Sequence, residues 1–89
     1  MSRATDPEKL IARMRRIEGQ ARGVQRMIKE GCDCEKIMIQ LAAMKAAINK
    51  AAVSLVGCYM ADAISEQLKK DGDIAEVLEK ASKVMSKLS

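Results

Sequence analysis

The stretch CEKIMIQLAAMKAAINKAAVSLVGCYMADAISEQLK, residues 34–69, decides the fold. Within it Ile37, Leu41, Met44, Ile48, Ala51, Leu55 and Cys58 recur at alternating four- and three-residue steps. That spacing places them on one seam of an α-helix. Asp33 is suited to cap the helix at Cys34, and Asp71-Gly72-Asp73 ends it. Uninterrupted, such a helix is about 54 Å long at 1.5 Å per residue. Alanine pairs at 42–43, 46–47 and 51–52 keep part of it thin, so another helix can approach closely.

On the N-terminal side, Asp6-Pro7-Glu8 reads as a helix start and Gly31 as a stop, giving a helix over about 7–30. Leu10, Met14, Ile17, Ala21, Val24 and Ile28 form its seam. On the C-terminal side, Asp73 with Glu76 resembles a capping box, with Asp in place of Ser or Thr, for a third helix over about 74–87. The first helix spans about 36 Å and the third is shorter still. Neither covers the long one, so association with further copies is the expected remedy. The expectation is an all-α, three-helix protomer, with residues 1–89 as one DNA-binding and sensor domain.

Composition agrees. The chain has 89 residues, one Pro, no Trp or Phe, and Tyr59 as its single aromatic residue. Helix formers dominate, which disfavours a β fold. No uninterrupted apolar run approaches the roughly 20 residues that cross a bilayer. The segment Met1 to Pro7 has no apolar core, so it does not read as a signal peptide. The expectation is a cytoplasmic protein without a membrane partner, its three cysteines held as reduced thiols.

The net charge of +4 is unevenly spread. All six arginines lie between Arg3 and Arg26, and residues 1–30 carry eight basic and four acidic side chains. A basic N-terminal third points to a polyanionic partner. A charged stripe is usually a solvated face, but arginine holds phosphate through a planar fork of donors. Without an aromatic stacking set, recognition of single strands is disfavoured. Duplex DNA bound through phosphates remains. From the stripe, Arg15, Arg16 and Arg22 are candidate DNA-binding residues.

Cys34 and Cys58 lie far apart on one helix. At 1.5 Å of rise per residue their separation is about 36 Å, too far to meet within a chain. Two copies packed antiparallel about a twofold near Ala46 bring Cys34 of one beside Cys58 of the other. Cys34 sits in the first turn, where free backbone N–H groups and the dipole favour a thiolate. A cysteine on an apolar stripe is otherwise a small buried hydrophobe, which is the competing reading for Cys58. Cys32 falls in the connecting turn and is an accessory candidate. Cys32-x-Cys34 is not a zinc spacing, and the chain has no His.

The run Arg13-Met-Arg-Arg-Ile-Glu-Gly-Gln-Ala-Arg-Gly-Val-Gln-Arg-Met-Ile, then Cys34, then Gln40-Leu-Ala-Ala-Met-Lys-Ala-Ala-Ile, resembles the copper-sensitive operon repressor family (CsoR/RcnR/FrmR type) across nearly the whole chain. The resemblance implies a cytosolic repressor, an antiparallel four-helix-bundle dimer and a flat tetramer made of two dimers. It implies an inducer bound at the dimer interface that weakens binding to double-stranded operator DNA. By resemblance, Arg13 and Lys50 match positions that contribute to DNA binding. Glu79 matches a position coupling the inducer site to the DNA face, with Tyr59 as its hydrogen-bond partner.

The departures bear on the inducer. Copper-sensing members follow the cysteine matching Cys34 with a His and then a further Cys. Here those two positions are Tyr59 and Ala63. Nickel and cobalt sensors need several His. Formaldehyde sensors carry a proline directly after the initiator Met, where this chain has Ser2. The persulfide-sensing (CstR-like) branch keeps two cysteines and no His, though its second matches Ala63 rather than Cys58. A relocated Cys34–Cys58 dithiol across two chains suits reactive sulfur species or thiol oxidation, with two-thiolate binding of Cu(I) as the alternative. A helical interaction module without a DNA role is a further alternative. An enzyme is not expected, since no His serves Cys34 as a base.

Overall fold

The computed structural model describes residues 6–88, so the reading of Ser2 lies outside the described residues. Three helices follow one another: α1 Pro7–Lys29, α2 Cys34–Lys69 and α3 Ala75–Lys87. Among the described residues there is no strand.

The helix ends show why the chain breaks where it does. Gly31 adopts φ 70°, the left-handed conformation that glycine takes without penalty. The Cys32 N–H then donates to the Met27 carbonyl at 3.0 Å and the Gly31 N–H to that of Ile28 at 3.2 Å, a Schellman closure of α1. Glu30 therefore belongs to the turn, one residue earlier than the sequence suggests. The same closure ends α2: Gly72 N–H donates to Gln67 at 2.8 Å and Asp71 N–H to Leu68 at 3.4 Å. Here the left-handed position falls on Asp71, at φ 58°, and not on Gly72.

At α3 the capping box is half made. The Asp73 carboxylate accepts the Ala75 N–H at 2.9 Å. Glu76 does not reach back; it pairs with Lys80 at 3.6 Å, four residues along the helix. Ile74 lies before the helix rather than in it.

The helices group into two compact units. Residues 8–51, α1 with the first part of α2, form one; the rest of α2 with α3 belongs to the other. In the first, Leu10, Ile17, Val24 and Ala51 are buried, while Met14, Ile28, Leu41 and Ile48 remain exposed. In the second, Cys58, Val77 and Ala81 are buried, while Leu55 and Tyr59 are exposed. A seam with residues at both four- and three-residue steps has two edges. One neighbouring helix covers one edge, and the alternate edge stays open.

By length and mean hydropathy α2 is also apolar enough to cross a membrane, which the count of uninterrupted runs does not reveal. Its apolar side chains are interleaved with Lys36, Lys45, Lys50, Asp62 and Glu66.

Candidate nucleic-acid interface and thiol site

Arg13, Arg16 and Gln20 fall on one side of α1 by their three- and four-residue spacing. They face Ala46, Ala47 and Lys50 of α2 across an open cleft of about 420 Å³. Ala46 and Ala47 line it with short side chains. Gln20 is half-buried, and its Oε1 is buried without a hydrogen-bond partner among the described residues. Two guanidiniums, an ammonium and an amide are donors suited to phosphate oxygens.

The five DNA-binding candidates thus divide. Arg13, Arg16 and Lys50 share the cleft. Arg15 and Arg22 do not line it; they are exposed on the outer side of α1, where Arg22 pairs with Glu18 at 3.2 Å. Charge does not single out Gln20, because a neutral amide leaves no mark in a count of basic residues. Its spacing, four residues from Arg16 and seven from Arg13, is the signal that finds it.

The thiols divide as well. Cys34 opens α2 and is exposed, and Cys32 is half-buried in the turn before it. Cys58 is 6% exposed, in the interior of the second unit. Its Sγ lies 3.8 Å from Oδ2 of Asp62, one turn on. Cys34 and Cys58 belong to different units, and no disulfide joins any of the three cysteines.

Tyr59 and Glu79, the coupling pair that the resemblance implies, lie on α2 and α3. Tyr59 and Ala63 line a cavity of about 180 Å³ together with Glu76, Val77 and Lys80. Glu79 is not on it. Glu79 pairs with Lys83 at 3.6 Å on the exposed side of α3. Glu76 and Glu79 are less than one turn apart, so they flank one helix face, and the neighbour inside the cavity is Glu76.

Among the described residues no three His, Cys, Asp or Glu side chains gather in a group able to hold a metal ion. The sequence has no His, so its donors with affinity for a soft cation are cysteine thiols and methionine thioethers.

A basic cleft on a helical pair, and a cysteine at the head of the longest helix, now stand beside known proteins. The model of the metal-sensitive transcriptional repressors matches residues 6–87. The chain belongs to that family. It is 31% identical over 77 residues to the copper-sensing transcriptional repressor CsoR of Bacillus subtilis (strain 168), covering 83% of this chain and 76% of that protein. It is 31% identical over 77 residues to the copper-sensing transcriptional repressor RicR of Mycobacterium tuberculosis, covering 85% and 80%. Among solved structures, the nickel-responsive transcriptional regulator InrS superposes with a TM-score of 0.79 at 26% identity, covering 100% of this chain and 99% of that one. As a member of the family this chain is a transcriptional repressor and not an enzyme.

Proposed function

We propose that this repressor binds operator DNA in the cytoplasm as a homo-oligomer and is released by chemistry at Cys34. The observation that carries the reading is the exposed Cys34 thiol in the first turn of α2. The same helix carries an open apolar edge that a second copy would cover. Leu41, Ile48 and Leu55 recur at heptad spacing on that edge and are 48%, 46% and 42% exposed. The edge is symmetric about Ile48, so two antiparallel copies of α2 would set Ile48 on the twofold and Leu41 against Leu55 of the partner subunit. This moves the axis from Ala46 to Ile48. Cys34 then faces the turn of the partner subunit that holds Asp62 and Cys58. Two dimers would pair into the flat tetramer.

The inducer in this reading is a reactive sulfur species. The Cys34 thiolate attacks a sulfane sulfur of a hydropolysulfide, breaks its S–S bond and becomes a persulfide as the shortened polysulfide anion leaves. The thiolate of Cys58 of the partner subunit then attacks Cys34 Sγ and expels hydrosulfide. The dithiol is oxidised to an inter-subunit disulfide, and the polysulfide is reduced by the same two electrons. Because Cys58 is buried, the second step requires the α2–α3 side of that unit to open. This opening is the element that shifts the DNA-binding surface.

A second reading has Cu(I) held by two thiolates, and the copper-sensing relatives favour it. Complexes with DNA from the region upstream of the gene, titrated in parallel with polysulfide, peroxide and Cu(I), discriminate the two. Release by polysulfide with Cu(I) inert supports the sulfur reading. Release by Cu(I) alone replaces it with the metal reading. No release by any of them contradicts both.

A further inference from the structure

The outer side of α1 carries a feature that neither the fold nor the cleft uses. Opposite the buried edge of Leu10, Ile17 and Val24, the helix presents Arg15, Arg22, Arg26 and Lys29 at helical spacing, all exposed. Gly19 and Gly23 lie among them. After proline, glycine is the least favourable residue inside a helix. Nothing within the chain calls for it at either position. Both glycines have ordinary helical φ, unlike Gly31. A Cβ built on Gly19 or on Gly23 meets nothing within 4 Å. The demand for a bare backbone therefore comes from outside the chain.

The neighbours indicate what comes from outside. Residues three and four positions from Gly19 on the helix surface are Arg15, Arg16, Arg22 and Gly23. Three guanidiniums thus surround a patch with no side chain. Among the described residues Arg15, Arg16 and Arg26 form no ion pair, and Arg22 has only its exposed pairing with Glu18. The same face of a second copy would meet this one with like charge. A polyanion meets it with opposite charge. Arg16 also lines the cleft with Arg13 and Lys50, so the basic surface continues around the helix.

We propose that the outer face of α1 is a docking surface for the phosphodiester backbone of duplex DNA, and that Gly19 and Gly23 form the strip along which it closes on the helix. The arginines on either side hold the phosphates, and the missing side chains let the strand approach close enough for short charge-assisted hydrogen bonds. The proposal rests on the DNA-binding reading above and specifies where the backbone lies.

The test uses the full chain with Gly19→Ala, Gly23→Ala and the bulkier Gly19→Leu. Three quantities are measured: melting temperature, solution mass, and anisotropy of a short fluorescein-labelled duplex at low salt. Because the space is open, alanine should raise Tm by a few degrees and leave the mass unchanged. Duplex affinity should fall about tenfold for either alanine and further for leucine. Unchanged affinity in all three variants overturns the proposal, as does a changed mass with affinity intact, which would assign the strip to another protein copy. If the wild-type chain itself fails to bind the duplex, the DNA-binding reading falls with it. The wild-type arm thus separates the two failures.

Discussion

Substitution of Ile48 tests whether the open edge of α2 is a subunit interface. Ile48 is 46% exposed, so association would bury roughly the half that folding leaves in water. Full burial of an isoleucine side chain is worth about 1.5–3 kcal/mol, and half of it about 1 kcal/mol. At a twofold the loss is counted in both copies. Ile48→Ala should therefore weaken the dimer by about 2 kcal/mol, roughly thirtyfold in Kd. Ile48→Asp should go further, because two carboxylates would face each other across the seam. The protomer itself should tolerate the change, since the side chain already meets water. Sedimentation equilibrium over a dilution series reads the mass, and far-UV circular dichroism confirms the helices. An Ile48→Asp chain with the wild-type mass at every concentration would refute the assignment of this edge.

Three further outcomes follow from particular residues. Asp71 holds a left-handed φ of 58° without being glycine, so Asp71→Gly should stabilise the chain by about 1 kcal/mol, several degrees in Tm by calorimetry. Lys50→Ala and Arg13→Ala should each weaken duplex binding and reduce the slope of log affinity against log salt by about one, measured by anisotropy across a salt series. With a limiting thiol reagent, mass mapping should find Cys34 modified first and Cys58 last, following their exposure.

The helices were legible because their ends carry local chemistry. Asp6-Pro7, Gly31 and Asp73 act through backbone geometry and short-range bonds, and the observed bounds differ from expectation only at Glu30 and Ile74. The seam was legible as a pattern but not as a burial map. Periodicity states which residues share a face, but not which edge of it the chain itself covers. Thus Leu10 and Val24 are buried, whereas Met14 and Ile28 of the same seam are not. The basic cleft was half legible: Arg13, Arg16 and Lys50 are visible as charges, whereas Gln20 carries none and shows only in its helical spacing from Arg16. Which of Glu76 and Glu79 shares a cavity with Tyr59 is not legible in the sequence, because the two differ by less than one turn. The rotation of α3 about its axis, which no sequence period fixes, decides between them.

The account rests on Cys34 as the point at which inducer chemistry reaches the DNA-binding surface. The most direct measurement compares wild type with Cys34→Ala, each bound to duplex DNA, as stoichiometric polysulfide is added under anaerobic conditions. The account predicts that both proteins bind DNA equally well beforehand, that the wild-type complex dissociates, and that the Cys34→Ala complex persists. Dissociation of both complexes at the same polysulfide concentration would contradict it.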